Sequence, residues 1–270
     1  MVAGILPKVR MWIEQPSEKK LEQSRSAIRR WYDPFMVNDQ DYDPELNTAV
    51  AFSGGKDSTA TLALVREYHK GDLSTVNVVF NNTGVEYPET VKFVHELQRE
   101  WGFNLVELKP KTTFWKLVDE YGYPVGKEKR PGRDGTTTDN CCYHLKEKPM
   151  MDFVKENGIK IIYLGITALE SHQRMIKAST HGDCYVAKKW GVRKVLPILY
   201  WSEGEVWNYL KENNIPTNPI YQKKGIDRCG CMPCTAHKLW KEQICLHYPS
   251  LCSKILREIG QSQLPMEVPA

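Results

Sequence analysis

Ala51-Phe52-Ser53-Gly54-Gly55-Lys56-Asp57-Ser58 is the stretch that decides the fold. It leaves a short apolar run, Thr48 to Phe52, and enters a helical pattern over Thr59 to His69, in which Leu62, Leu64, Val65 and Tyr68 recur. A strand that breaks at two glycines and opens directly into a helix is an anion cradle. Gly54 and Gly55 let the backbone turn sharply and bring N–H groups against phosphate oxygens. The helix N-terminus adds positive dipole. Lys56 adds a full charge, Ser53 and Ser58 add hydroxyls, and Asp57 is placed to hold Mg²⁺ or to position the loop. The lysine follows the second glycine directly, so the spacing is not that of the Walker loop. A plain strand–turn–helix corner seldom gathers six such residues.

Outward from the loop, the strand–helix rhythm repeats. Val76 to Phe80 reads as a buried strand, and a helix starting at Pro88 runs to about Trp101. Asn104 to Leu108 is a third strand and Phe114 to Tyr121 a helix. Gly122 to Asn140 is rich in Gly, Pro and charge, and long enough for a functional loop. Tyr143 to Asn157 reads as a helix bent at Pro149, with Gly158 as its stop. Ile161 to Gly165 is a fourth strand and Val195 to Leu199 a fifth; Ser202 and Glu205 have capping-box spacing before another helix. This alternation predicts an α/β fold, a doubly wound parallel sheet covered on both faces, with helical N- and C-terminal additions. Residues 1–47 are expected to form a basic N-terminal extension, 48–235 the nucleotide-binding domain, and 236–270 C-terminal helices with a loose tail from Gln261.

The 270 residues, 41% of them hydrophobic, suffice for one large domain. No stretch approaches the roughly 20 apolar residues of a membrane span. Met1 to Pro7 is too short for a signal core, so a cytoplasmic location with no membrane partner is expected. Net charge is only +4, and residues 1–31 carry all of it, with seven cations against three acids. Residues 171–195 hold Arg174, Lys177, Lys188, Lys189, Arg193 and Lys194 against Asp183 alone. A patch of this kind suits a phosphate-rich partner, or is simply a solvated basic surface. Trp12 and Trp31 sit among basic residues, a mixture that stacks on nucleic-acid bases or packs as a small helical unit.

The eight cysteines are clustered, which points to metal or redox chemistry rather than disulfides. In Cys231-Met-Pro-Cys234 two sulfurs can converge on one centre; 88 residues separate it from the adjacent pair Cys141-Cys142. Tetrahedral Zn²⁺ on four sulfurs is one option. Cys229 stands beside Cys231, as a bystander or as a carrier of sulfur. Cys184 lies in the basic stretch, and Cys245 and Cys252 read as core fillers on terminal helices. His144, His172 and His237 lack ligand spacing and are read as ordinary surface or helix residues.

The loop resembles the PP-loop of ATP pyrophosphatases, the adenine nucleotide α-hydrolase family. More of the chain resembles the phosphoadenosine phosphosulfate (PAPS) reductase family within it. Val79 to Thr90, with Phe80, Asn82 and Thr83 at the strand end, is similar to that family's second motif, which implies contact with adenosine. Gly165-Ile166-Thr167-Ala168-Leu169-Glu170-Ser171 with Arg174 is similar to the next signature. Pro197 to Glu205, Val206-Trp207, Ile215-Pro216, Asn218-Pro219, Tyr221 and Arg228 to Thr235 continue the likeness, which spans about residues 48–235. The four cysteines resemble the set that holds a 4Fe–4S cluster in adenylylsulfate reductases, and four thiolates are what such a cluster requires. Lys146, just beyond the pair, is placed to bias its field.

The resemblance implies ATP and Mg²⁺ as ligands, Ser53, Gly54, Gly55, Lys56, Asp57 and Ser58 around the phosphates, and Gly165, Glu170 and Ser171 near the nucleotide. Lys56, Asp57, Arg174 and Cys229 are the expected catalytic residues, and Cys141, Cys142, Cys231 and Cys234 the cluster ligands. Two departures stand out. Sulfonucleotide reductases usually lack the loop lysine, and they carry a nucleophilic cysteine near the C-terminus, whereas no cysteine follows Cys252. Both favour an AMP-forming enzyme that adenylylates a substrate and transfers sulfur, similar to tRNA-thiolating relatives. A tRNA or other nucleic-acid substrate, an electron- or sulfur-donor protein and a homo-oligomer are the partners this implies. The alternatives are an adenylylsulfate or PAPS reductase, a sulfate adenylyltransferase-like subunit, and a nucleotide-binding sensor without catalysis.

Overall fold

The structure is a computed structural model that describes residues 7–37, 39–124, 140–234 and 239–262. Most of the expected loop from Gly122 to Asn140, His237 and most of the tail after Gln261 lie outside the described residues. Six strands form one sheet in the order β3-β2-β1-β4-β6-β5. They are β1 (Thr48–Ala51), β2 (Asn77–Asn81), β3 (Asn104–Leu108), β4 (Ile161–Leu164), β5 (Cys184–Ala187) and β6 (Val192–Val195). All pairs are parallel except β5 with β6. The strand order reverses at β1, which pairs with β2 on one side and β4 on the other. Such a switch point opens a crevice beyond the carboxyl ends of the strands, where α/β sheets bind ligands.

The parallel strands are short and apolar because both faces are covered. The helices are α1 (Pro7–Ile13), α2 (Ser17–Tyr32), α3 (Lys56–Tyr68), α4 (Pro88–Trp101), α5 (Phe114–Tyr121), α6 (Lys148–Glu156), α7 (His172–His181), α8 (Glu203–Glu212), α9 (Trp240–His247) and α10 (Pro249–Ser262), together with shorter turns. On one face Val50, Val78 and Tyr163 pack with Ile28 of α2, Leu62 of α3, Leu97 of α4 and Leu210 of α8. On the other, Ala49, Val79 and Ile162 meet Met150, Phe153 and Val154 of α6.

Three sequence expectations are amended. The fifth parallel strand is Val192–Val195 rather than 195–199, and an antiparallel edge strand, β5, precedes it. The periodicity of β5 was masked by its polar setting beside Asp183 and Lys188. The bend at Pro149 is a π-helical segment, Tyr143–Glu147, closed by a bond from Lys148 N to Tyr143 O. Pro149 lacks the N–H that would bond the Leu145 carbonyl, so the ordinary α ladder cannot run through it. Cys245 and Cys252, read as core fillers, form a disulfide. The chain folds back at Tyr248-Pro249 and brings their Cα atoms to 4.9 Å, within the span a disulfide bridges.

Residues before β1 are tied into the sheet. Tyr32 stacks on Tyr163 with ring centroids 5.4 Å apart, the Tyr163 hydroxyl donates to Ile28 O at 3.0 Å, and Ser24 Oγ donates to Pro197 O at 2.7 Å. Lys20, itself buried, donates to both carboxylate oxygens of Glu205 at 2.9 and 3.0 Å. Glu205 also completes the capping box with Ser202. Burial pushes the Glu205 carboxyl upward, but bonds from the Ser202 N–H, Lys20 and Ser17 outweigh it and hold the group below the usual glutamate range. A depressed carboxyl contributes stability above its unfolded pKa and loses it as pH falls through the folded value.

Glu205→Gln is expected to cost about 3 kcal/mol at pH 7, the low end for breaking a buried ion pair, because Lys20 is left buried without its counter-ion while Glu205 is itself partly exposed. The gap to the unaltered protein should close as pH falls below the ordinary glutamate range, and urea unfolding across that interval measures it.

Candidate phosphate-loop and cysteine site

The loop between β1 and α3 is held from behind. Gly54 has φ +71°, and a Cβ there would lie 3.0 Å from Thr90 Cγ2 and 3.2 Å from Val94 Cγ2, so glycine suits both the turn and the approach of α4. Asn218, buried, donates through Nδ2 to Gly54 O at 3.0 Å and Thr90 Oγ1 at 2.9 Å. The Gly55 carbonyl accepts from Ser58 Oγ at 2.9 Å, Thr59 N at 2.9 Å and Thr59 Oγ1 at 3.0 Å. The Lys56 N–H donates to the Tyr221 hydroxyl at 2.9 Å. Ser53 N donates to Ser58 Oγ at 3.2 Å. From the far side of the switch point, Gly165 fits under the first turn of α3, where a Cβ would come within 2.5 Å of Asp57 O.

Lys56 Nζ lies between Asp57 Oδ2 at 3.2 Å and Glu203 Oε1 at 3.4 Å. Burial pulls its ammonium down, but the two carboxylates outweigh burial and raise it above the usual lysine value. The cation therefore stays charged at the mouth of the loop.

Cys229 lies against this loop. Its Sγ is 3.6 Å from Gly54 O, 3.5 Å from the Tyr221 hydroxyl and 3.3 Å from Asn218 Nδ2. Burial pushes the thiol up, against hydrogen bonding to Tyr221 and Thr90 and the charge of Lys56. Two residues on, Cys231 forms an isolated antiparallel bridge with Glu86. Cys231 Sγ is 3.4 Å from Thr83 Oγ1 and 3.6 Å from Glu86 Oε1. Glu86 is buried, accepts from Thr83 Oγ1 at 2.9 Å and pairs with Lys146 Nζ at 3.5 Å. Burial pushes the Cys231 thiol up to about 12, opposed by Lys146. The Cys142 side chain holds the Cys141 thiol below its usual value, while Cys234 and Cys231 push it up.

The cysteine group thus gathers Cys141, Cys142, Cys231 and Cys234 within reach of one another's charge. Among the described residues, no group of three or more His, Cys, Asp or Glu side chains is arranged to hold a metal ion. A set of four thiols with the half-exposed Lys146 beside them fits the donor chemistry of a 4Fe–4S cluster.

Other residues singled out by sequence are placed differently. Phe80 is buried in the main core, so only its backbone faces the crevice. Asn82 uses its side chain on Glu107 Oε1 at 2.8 Å and Gly84 N at 3.0 Å. Glu170 pairs with Arg174, and Ser171 Oγ caps Arg174 N at 3.3 Å, so these three form their own unit at the start of α7. The basic stretch 171–195 is divided: Arg193 lies over Trp31 at 4.2 Å and its neighbour Lys194 over Trp190 at 3.8 Å. Glu86, Glu203, Asn218 and Tyr221 have no individual role in the sequence reading. Asn218 and Tyr221 fall inside the matched motifs, but only the fold shows that they grip the loop.

Residues 47–237 match the family model described as the phosphoadenosine phosphosulfate reductase domain. An uncharacterized protein of Methanocaldococcus jannaschii is 35% identical over 218 residues, which is 78% of this chain and 42% of that protein. The chain thus spans less than half the length of that relative. Adenosine 5'-phosphosulfate reductase of Oceanobacillus iheyensis is 25% identical over 189 residues, covering 69% of this chain and 70% of the reductase. The crystal structure of a PAPS reductase from Candida auris, a phosphate complex, aligns with a TM-score of 0.55 at 19% identity, over 81% of this chain and 93% of that one. That likeness bears on the fold. By its matched domain, its motifs and its fold, the chain belongs to the phosphoadenosine phosphosulfate reductase family of PP-loop, adenine nucleotide α-hydrolase-like proteins.

Proposed function

We propose that this chain binds ATP–Mg²⁺ at the loop Ser53–Ser58 and adenylylates a substrate carbonyl oxygen, releasing pyrophosphate, before sulfur displaces AMP. The observation that carries the reading is Lys56, a cation kept charged between Asp57 and Glu203 at the mouth of the loop. A β,γ-diphosphate is the ligand part that needs such a charge. The Ser53 and Lys56 N–H groups are already donated to Ser58 and Tyr221, so in this reading the remaining N–H groups of the loop and the dipole of α3 bind the phosphates. Lys56 turns from its carboxylates to the departing pyrophosphate and stabilises its charge. Asp57 would hold Mg²⁺, which would offset phosphate charge. Arg174 contacts the substrate or its phosphates.

Cys229, two residues from Cys231 and in contact with the loop carbonyl of Gly54, carries the sulfur. The terminal sulfur of its persulfide forms the new C–S bond while the C–O bond to AMP breaks and AMP leaves with the electron pair. A donor protein supplies that sulfur and a thiol that reduces the resulting disulfide. Cys141, Cys142, Cys231 and Cys234 would hold a 4Fe–4S cluster, which supplies redox or sulfur-holding chemistry when bound. A nucleic acid is the acceptor we favour, on the strength of the basic residues before β1.

The second reading is reduction of a sulfonucleotide, supported by relatives named adenosine 5'-phosphosulfate reductases. Cys229 would then be the attacking thiol.

Calorimetry of the cluster-loaded protein against ATP–Mg²⁺, adenylylsulfate and PAPS separates the two. ATP is expected to bind best, and Lys56→Ala to weaken it about 10–100-fold, from the ~1.5–3 kcal/mol of a hydrogen bond to a charged group. Preference for a sulfonucleotide, with ATP weak, would return the protein to the reductases. ATP binding without pyrophosphate release would make it a sensor.

Gly165→Ala forces the Asp57 backbone to move. A loss of roughly 1–3 kcal/mol in stability is expected, as for overpacking, with weaker ATP binding alongside. Thermal melts with and without ATP check it. Cys229→Ser is expected to retain ATP-dependent pyrophosphate release and to lose labelled-sulfur transfer to the acceptor.

A further inference from the structure

Helix α2 has two working faces. Lys20, Ser24, Ile28 and Tyr32 point into the protein and are buried. Lys19, Gln23, Ser26 and Arg30, one face away, line a groove of about 690 Å³ closed by Trp12 of α1 and by Asp183 at the start of β5. Most of this wall is outside the segment 47–237 that matches the family domain, so the groove is a feature of this chain's own extension.

The chemistry of the groove is that of a nucleobase and its phosphate. Trp12 lies nearly parallel to Tyr200, with an interplanar angle of 16° and centroids 5.7 Å apart, and Tyr200 is buried, so the indole is preset as a platform. Gln23 donates its amide N–H to Asp183, which offsets that carboxylate. Gln23 Oε1 is buried with no hydrogen-bond partner, so a donor such as an exocyclic amine reaches it once the Gln23 side chain turns toward the groove. Arg30 lies over the Trp31 ring at 5.2 Å and Arg193 at 4.2 Å, so two guanidinium groups gather at the far end. From Lys19 to Arg30 the helix advances about 17 Å, longer than one nucleotide needs. The Lys19 end adjoins the phosphate loop through α8: Lys20 pairs with Glu205, and Glu203, in the same turn, pairs with Lys56. Lys19 and Arg30 share the lining with Glu22 and Asp183, so an acidic polypeptide would meet carboxylates along its length, whereas a nucleic-acid strand can lay a base on Trp12 and bring its phosphates only to the two cations.

We propose that this groove binds single-stranded nucleic acid, with a base on Trp12, an exocyclic amine on Gln23 Oε1, and phosphates at Lys19 and Arg30. The proposal names the acceptor class for the adenylylating reading and rests on that reading for its chemistry, while the binding itself is separately measurable.

The test is fluorescence anisotropy of a short, labelled single-stranded RNA of mixed sequence with the full chain. Salt-sensitive binding is expected. Trp12→Ala and Arg30→Ala should each weaken it roughly tenfold, as loss of a stacking or phosphate contact does; Arg30→Ala should leave the melting temperature little changed, whereas Trp12→Ala should lower it by losing the Tyr200 stack. Lys155→Ala, remote from the groove, should leave it unchanged, and Trp12→Phe should restore most of the affinity lost in Trp12→Ala. Absence of RNA binding, affinity unmoved in the folded Trp12 and Arg30 variants, or equal competition by duplex RNA or polyglutamate would each overturn the proposal. ATP binding is followed in parallel by calorimetry. If the unaltered protein fails to bind ATP but the groove variants still lose RNA, the functional reading falls and the groove stands.

Discussion

A loop that offers its N–H groups to phosphate must have its carbonyls satisfied from within, or it will not hold its shape. Here the Gly54 and Gly55 carbonyls are taken by Asn218, Ser58 and Thr59. The donors come from opposite ends of the matched region, Ser58 and Thr59 from the helix that follows and Asn218 from 164 residues away. Gly165 closes the remaining side by having no side chain. The turn is thus fixed by the tertiary structure: the conformation of the loop depends on groups brought in by β4 and by the segment after α8.

The dependence explains what was legible in the sequence. The Ser-Gly-Gly-Lys-Asp-Ser stretch carries its own chemistry, and the alternating strands and helices carry the architecture, because both are local signals. Asn218 and Tyr221 look like ordinary loop residues until the chain returns to β1. Glu203 reads as a first-turn acid complementing a helix dipole, a role it has in addition to its pairing with Lys56. The edge strand β5 escaped notice because only one side of it meets the sheet, and its residues alternate weakly. The Cys245–Cys252 bridge escaped for a different reason: a redox compartment inferred from cysteine clustering says nothing about two residues that a tight helical turn places face to face.

Electrostatics divides the crevice into two parts. At the loop, Lys56 is stabilised by two acids that are themselves partly exposed. At the cysteine group, Glu86 is deeply buried and Lys146 is its counter-ion, so the pair sits where charge is costly to leave uncompensated. A cationic neighbour lowers the thiol of Cys231 while burial raises it. The same lysine therefore serves a structural demand, set by Glu86, and a chemical one, set by the sulfurs.

Cys229-Gly230-Cys231 joins these two parts, with one sulfur on the Gly54 carbonyl and the other at Thr83 and Glu86. Three residues are too few to absorb a displacement, and Met232 N, next in line, is fastened to Val85 O. The segment is thus fastened at both ends, Cys229 to the loop and Cys231 with Met232 to the Thr83–Glu86 turn. Were either end to move on occupation, these fastenings would carry the displacement to the other, and linkage would make the effect reciprocal.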